Sequence, residues 1–278
     1  MLALTGSTGA VGGRVAQALV DLQPRLIVRN AARAPQLGLD VHVATYDDAT
    51  AATSALQGVS VLFMVSASES DQRVLDHRTM IESAVRAGVR HVVYTSFSSA
   101  APDATFTLAR DHHDTEQVLH DAAADGTTFT VLRDNFYLDV LPEFADAEGV
   151  IRGPAGTGRV AAVARADVAD AVVAVLRDPA AHAGATYTLS GGEALTFEEV
   201  ATRAGAVLGR PLRFEDETLE EAYASRRAAY PDAEPWQLDA WVSTYTAVAD
   251  GSQAAVVDDV RRLTGHAPRR LEDVLVTP

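Results

Sequence analysis

The sequence predicts an α/β fold: a doubly wound parallel sheet with a smaller C-terminal α/β subdomain. Three observations carry this expectation. Short apolar runs alternate with helical patterns at βαβ spacing through the first half of the chain. The run from Val59 to Val65 is continuously apolar, as in a strand buried on both faces. A glycine-rich turn sits between the first strand and the first helix. The boundary is placed at residue 135, with 1–135 as the wound sheet and 136–278 as the smaller domain, from which the chain is free to return to the sheet.

The elements follow in order. Residues 2–5 form a first strand ending at Gly6, and Val11, Val15, Leu19 and Val20 share one face of a helix. Arg25 to Val28 and Val41 to Val43 are the next strands, and Ala49 to Leu56 is a helix closed by Gly58. After Val59–Val65, a helical face comprises Val74, Ile81 and Val85 with Leu75 and Ala84. Gly88 ends that helix in the position where glycine relieves the left-handed turn. His91 to Tyr94 is a strand, Asp111 to Ala122 a helix and Phe129 to Leu132 a sixth strand. Beyond 135 the pattern loosens, with Gly149, Gly153, Pro154, Gly156 and Gly158 close together. Asp167 to Leu176 reads as a helix with Val168, Val172, Val175 and Leu176 inward, and Tyr187 to Leu189 as a short strand. Thr196 and Glu199 form a capping box for a helix that stops at Gly209-Arg210-Pro211. The five acids of 215–221 read as a solvated face, and 222–250 as weakly patterned helix.

Composition narrows the chemistry. The 278 residues carry 23 Lys+Arg against 38 Asp+Glu, a net charge of −15, which opposes binding to nucleic acid or to an anionic membrane. Cysteine is absent, which excludes disulfides, thiolate nucleophiles and cysteine metal sites. Lysine is absent as well, since all 23 cations are arginine. That removes Schiff-base chemistry and the Walker A lysine. No run approaches a membrane span, and the first residues lack a targeting pattern, so a cytoplasmic location is expected.

Gly6-Ser7-Thr8-Gly9-Ala10-Val11-Gly12 is a G-x-x-G-x-x-G loop that follows a strand and opens a helix. Gly6 permits the tight turn, Gly9 the approach of a pyrophosphate, and Gly12 close packing of helix on sheet. The N–H groups and dipole at the helix start favour the anion. Strand two ends in Val28-Arg29-Asn30, with Arg33 close behind, where an NAD-preferring fold carries a carboxylate for the ribose hydroxyl. A guanidinium there suits a 2′-phosphate, so NADPH is the expected cofactor.

These motifs resemble those of the NmrA-like atypical short-chain dehydrogenases. The loop from Thr5 to Gly12, Val28-Arg29-Asn30, Leu56-Gln57-Gly58-Val59 and Tyr94-Thr95-Ser96 carry the resemblance. So do Ala87-Gly88-Val89, Leu132-Arg133 with Phe136-Tyr137, Arg165-Ala166-Asp167 and Gly265-His266-Ala267-Pro268. Within that family the chain is most similar to the type 2 NAD(P)H:quinone oxidoreductases. The resemblance implies a Rossmann-type domain that binds NADPH and a small C-terminal domain closing over the nicotinamide. By their place at strand ends, Ser66, Ala67 and Ser68, with Thr95, Ser96 and Phe97, are expected to line the cleft. Asn135, Phe136 and Tyr137 follow the sixth strand and are expected to face the substrate.

Two departures stand out. The classical Tyr-x-x-x-Lys pair is impossible without lysine, and in this resemblance Gln117 takes the lysine position. The acidic residue that commonly meets adenine after strand three is Thr45 here, with Asp47 and Asp48 as substitutes or helix caps. His112 and Glu116 are spaced to share a metal, but no third or fourth ligand stands at a recognisable spacing, so no metal is expected. His113 is either a general acid or part of a polar helix face.

The expected function is NADPH-dependent reduction of a small molecule, a quinone above all. Phe97, Phe136 and Tyr137 would supply an apolar wall, and Gln117 and Tyr137 the hydrogen-bond donors. Two alternatives stay open: a non-catalytic NADP(H)-binding redox sensor, and a reductase or isomerase of another carbonyl compound. A homodimer is also left open.

Overall fold

The computed structural model describes residues 1–124 and 126–276. β1 (Leu2–Leu4), β2 (Arg25–Val28), β3 (Val41–Val43), β4 (Val61–Met64), β5 (His91–Phe97) and β6 (Thr128–Asp134) come in chain order. With β8 (Thr186–Leu189) they form a seven-stranded sheet in the order β3-β2-β1-β4-β5-β6-β8. β1 is parallel to both β2 and β4, and β2–β3 and β4–β5 are parallel too. This is a Rossmann-type sheet. The winding reverses between β1 and β4, the place where such sheets receive ligands beyond the carboxyl ends of the strands.

The crossover helices are α1 (Ala10–Ala18), α2 (Ala49–Ala55), α3 (Arg73–Ala87), α4 (Thr107–Ala123) and α5 (Arg165–Arg177). One core cluster joins Ala3, Leu62, Met64, Val92 and Tyr94 from the strands to Ile81 and Leu119 from the helices. α3 departs from the apolar face expected for it. Leu75 is 56% exposed, while Arg73 and His77 are buried beside Met80, Ile81 and Ala84. Both polar side chains find partners inside, as burial demands.

By packing, the chain divides into two compact units, and the division is not a single cut. The first comprises Met1–Ala100, Asp111–Arg133 and Val168–Tyr187, and the second Ala101–Arg110, Asp134–Asp167 and Thr188–Pro278. In the second, β7 (Val150–Gly153) pairs in parallel with β9 (Arg213–Asp216). α6 (Phe197–Leu208) starts at the Thr196–Glu199 capping box and stops at Gly209 in the left-handed conformation. Ile151, Phe197, Val200, Tyr245 and Val248 share a second core. The Tyr245 ring packs so closely on Gly153 that a Cβ there would come within 2.3 Å of it.

Of the acids of 215–221, Asp216, Glu220 and Glu221 are exposed, as expected of a solvated face. Glu215 pairs with Arg152 and Arg213, Asp216 accepts the Gly156 N–H, and Glu217 lies half-buried against Arg226. The segment 222–250 is helical, in two pieces. α7 (Leu219–Ala229) and α8 (Pro235–Ala249) are separate, with Pro235 in the first turn of α8. Two short helices, α9 (Asp259–Thr264) and α10 (Leu271–Val276), follow. No helix of the described residues is long and apolar enough to cross a membrane.

Candidate cofactor and active site

The glycine loop has the geometry its spacing demands. Gly6 is left-handed (φ +65°), and a Cβ on it would strike Val65 at 2.7 Å. A Cβ on Gly12 would lie 2.3 Å from the Gly6 carbonyl oxygen, so only glycine lets α1 rise this close to the turn. Gly9 differs. Its backbone is extended, and a Cβ would meet only the Gly6 oxygen at 3.4 Å, an ordinary contact. The space beside Gly9 is therefore not needed by the protein's own packing. α1 has no side-chain cap at its N-terminus, and Thr8, Gly9 and Ala10 are exposed. Its first-turn N–H groups are thus left for an outside acceptor. Ser7 Oγ is buried with no hydrogen-bond partner among the described residues. The open face at Gly9, the uncapped helix and this orphaned hydroxyl fit a bound dinucleotide pyrophosphate.

Sequence reasoning missed what holds the loop in place. Tyr46, just past β3, donates from its hydroxyl to the Val65 carbonyl at 2.6 Å. The Val65 N–H donates to Thr5 Oγ1 at 2.9 Å, and Thr5 Oγ1 and Tyr46 Oη are 2.6 Å apart. With the Tyr46 proton spent on Val65, Thr5 is the donor in that last bond. The ring closes on itself and fixes Val65, the residue against which Gly6 turns. Burial pushes the Tyr46 hydroxyl well above the usual phenol range, while the nearby Arg29 charge pulls it the other way. Tyr46→Phe should lower stability by about 1 kcal/mol, since the half-buried Val65 carbonyl loses its donor. It should weaken NADPH binding several-fold through the loosened loop. Thermal melting and cofactor titration measure both; an unchanged cofactor affinity would show that Tyr46 does not support the loop.

Arg29 and Arg33 are exposed beyond β2, and Asn30 caps the short turn after it by accepting the Ala32 N–H at 2.9 Å. Asp48 accepts from Thr50 and Ala51 and so caps α2, the structural alternative for that residue. Thr45 is half-buried and Asp47 exposed.

Two of the strand-end residues expected at the cofactor, Thr95 and Ser96, turn their side chains into the protein. Thr95 Oγ1 accepts the Ser66 N–H at 2.8 Å. Ser96 Oγ donates to Glu116 at 2.5 Å, and Glu116 in turn receives two bonds from Arg133, at 2.9 and 2.6 Å. Thr95 and Ser96 therefore brace the ends of β4, β5 and α4. Ser66 is half-buried and Ser68 exposed, and the Ala67 N–H donates to His77 Nε2 at 2.8 Å.

That last bond begins a buried polar network. With Nε2 accepting, His77 Nδ1 carries the proton and donates to Thr115 Oγ1 at 2.8 Å, and Thr115 donates to the Asp111 carbonyl. Arg73 donates to the Ala67 carbonyl, to Asp111 and, at 2.9 Å, to His112 Nε2. His112 must then donate from Nδ1 to Tyr94 Oη at 2.9 Å. Burial, seconded by the Arg73 charge, lowers both imidazoles, His77 to about 3 and His112 well below its usual value. Both are neutral at physiological pH. The network pins residues 66–73 to α4.

On α4 the buried polar positions are His112, Thr115 and Glu116, beside the apolar Val118 and Leu119. Gln117 is exposed, on the same side as Arg110, Asp114 and Asp121. A helix that turns Glu116 inward at this point carries Gln117 outward. His112 and Glu116 have separate partners, so the spacing that suggested a shared metal is spent on two different bonds. His113 is half-buried.

In the first unit, Phe97 lies 9% exposed with its ring 6.1 Å from that of His112. In the second, Asn135 is bonded at both ends of its amide: Nδ2 donates to the Gln253 carbonyl and Oδ1 accepts the Phe136 N–H. Asn135 anchors the turn after β6. Phe136 is half-buried and meets Phe106 edge-on, with centroids 5.0 Å apart. The Tyr137 hydroxyl donates to Asp134 Oδ2 at 3.0 Å.

Residues 1–258 match the model of the NmrA-like family. The chain belongs to the NmrA-like family. Its curated relatives include quinone oxidoreductase 2 of Escherichia coli, 36% identical over 243 residues, which are 84% of this chain and 83% of that protein. Another is the (4-alkanoyl-5-oxo-2,5-dihydrofuran-3-yl)methyl phosphate reductase of Streptomyces griseus, 34% identical over 98% of this chain and 96% of that protein. Among solved structures, the NADPH-dependent quinone oxidoreductase of Escherichia coli in complex with NADPH matches with a TM-score of 0.88 and 32% identity, covering 99% of each chain.

Proposed function

We propose that this member of the NmrA-like family reduces quinones and related conjugated carbonyl compounds with hydride from NADPH. It is an NADPH-dependent oxidoreductase, in keeping with relatives named as oxidoreductases and reductases and with a structural relative crystallised with NADPH. The observation that carries the reading is the Gly6–Gly12 loop, open and uncapped at the switch point of the sheet, with Arg29 at the end of β2 where a carboxylate would select NAD.

Bound NADPH supplies a hydride, two electrons with one proton's worth of hydrogen. The protein does the rest. First-turn N–H groups of α1 and the loop hold the pyrophosphate, and Arg29 with Arg33 pairs with the 2′-phosphate. Phe136 offers an apolar ring for a planar acceptor, and Tyr137 is the donor for the oxygen on which negative charge develops. A quinone tolerates a weak donor there, because its two-electron-reduced anion is already stable. The relatives' names point to the same class: one names a quinone, the other a ring whose carbonyl is conjugated.

Steady-state oxidation of NADPH with benzoquinone-type acceptors tests the reading. Turnover well above the protein-free rate is expected. Tight NADPH binding without turnover would favour the redox-sensor alternative.

A further inference from the structure

We propose that Asp134 is the positioning residue and proton store for Tyr137, the two forming a relay that protonates the reduced acceptor. The inference rests on the function just proposed and extends it to acceptors that need a proton.

β6 ends in Leu132-Arg133-Asp134, and alternation along the strand divides the last two. Arg133 reaches Glu116, while Asp134 is 2% exposed on the opposite side. Asp134 Oδ2 accepts the Tyr137 hydroxyl, and Oδ1 is buried without a partner among the described residues. Asp134 has no ion-pair partner there either. Arg165 and Asp139, whose charges act on Tyr137, are bonded to each other, and Asp134 itself is shifted only by burial and by the Tyr137 hydrogen bond.

A carboxyl in this setting keeps its proton, because an unpaired buried anion is costly. Burial lifts Asp134 to about 8, with the Tyr137 hydrogen bond only partly opposing the rise. A neutral carboxyl can reverse the bond it shares with tyrosine. With the acid proton on Oδ1, Tyr137 donates to Oδ2, as found. With the proton on Oδ2, Asp134 donates to Tyr137 Oη, and the tyrosine proton is free to point at an acceptor.

The balance is complete. NADPH is oxidised by two electrons and its hydride forms a new bond to the acceptor, leaving negative charge on the acceptor oxygen. The Tyr137 O–H breaks as the acceptor O–H forms. The Asp134 O–H breaks as the Tyr137 O–H re-forms. The charge ends on Asp134, and water returns the proton after product leaves. A benzoquinone, whose reduced anion is stable, depends on this less than an unsaturated lactone, whose enolate is far more basic.

The test compares wild type, Asp134→Asn and Tyr137→Phe. Asn keeps an acceptor for Tyr137 but stores no proton. In the acceptor-free protein, the infrared carboxyl band lost in Asp134→Asn should be that of a protonated acid at pH 7 and should disappear with a midpoint near 8. With an unsaturated lactone that carries no acyl group, Asp134→Asn should lower kcat about a hundredfold, the lower end for a general acid. With benzoquinone the loss should be about tenfold smaller, and KM for NADPH should not move. Wild-type lactone turnover should fall as pH rises through the same midpoint, and that limb should vanish in the variant. Tyr137→Phe should cost as much as Asp134→Asn, and the double variant no more, as expected of residues acting as a unit. An ionised Asp134 at pH 7, or a variant that keeps wild-type lactone turnover and its pH limb, overturns the relay alone. A wild type that reduces neither acceptor overturns the oxidoreductase reading and the relay with it.

Discussion

Gly9→Val should abolish NADPH binding while leaving the fold intact. The two halves of this expectation rest on separate observations. The backbone at Gly9 is extended, with φ −98° and ψ 175°, a conformation that valine adopts readily. The protein itself leaves room for a Cβ, whose nearest neighbour would be 3.4 Å away. What the branched side chain would fill is the place proposed for the pyrophosphate. Losing the phosphate contacts and adding a clash should weaken binding by more than a hundredfold, about 3 kcal/mol or more. The contrast with Gly12 sharpens the test. A Cβ there would press on the Gly6 oxygen and carbon at 2.3 and 2.5 Å, both backbone atoms that cannot swing away. Gly12→Ala should therefore lower the melting temperature, and Gly9→Val should not. A Gly9→Val protein that melts like wild type and still binds NADPH with wild-type affinity would move the cofactor away from this loop.

Arg29→Ala should remove most of the preference for NADPH over NADH. Arg29 is exposed past the end of β2, close enough for its charge to act on Tyr46. A carboxylate here would repel the 2′-phosphate and bind the free ribose hydroxyl; arginine does the reverse. Hydrogen bonds to charged groups contribute about 1.5–3 kcal/mol each, or roughly ten- to a hundredfold in affinity. Wild type should bind NADPH at least about tenfold more tightly than NADH, with a gap that narrows in salt because the arginine is exposed. The variant should lose that advantage and leave NADH almost unchanged. An equal loss for both cofactors would show that Arg29 supports the fold of the site and does not read the phosphate.

The sheet and the loop were legible in the sequence because both are written locally. β2 and β3 match the apolar runs Arg25–Val28 and Val41–Val43, each bounded by polar or turn residues. The capping box at Thr196 was readable for the same reason. What escaped were interactions between residues far apart in the chain. β7 and β9 are four residues each and pair across some sixty residues, so neither has a local signature beyond the glycines that obscured β7. The same holds for the pair of Glu215 with Arg152, which lie some sixty residues apart. The break between α7 and α8 did have a local signal, in Pro231 and Pro235.

The candidate site divides the same way. Periodicity assumes that polar residues face outward, so it placed Leu75 inside α3 and passed over Arg73 and His77. It could not foresee that Glu116 turns inward to Arg133, which carries Gln117 outward. Nor does any spacing announce Tyr46, whose part in the loop depends on Thr5 and Val65, brought to it by the sheet. Residues proposed to meet the cofactor through backbone or charge were readable from motif. Residues that hold those in place were not.

The central claim is that NADPH bound through the Gly6–Gly12 loop gives up its hydride to a conjugated acceptor. Single-turnover oxidation of NADPH carrying deuterium at the transferred position tests it most directly. The protein, loaded with one equivalent of cofactor, is mixed with benzoquinone and the nicotinamide absorbance is followed. The account predicts a decay that requires the acceptor, is slower with the deuterated cofactor, and is lost in Gly9→Val. A decay that matches the protein-free rate, or that persists unchanged in Gly9→Val, would contradict it.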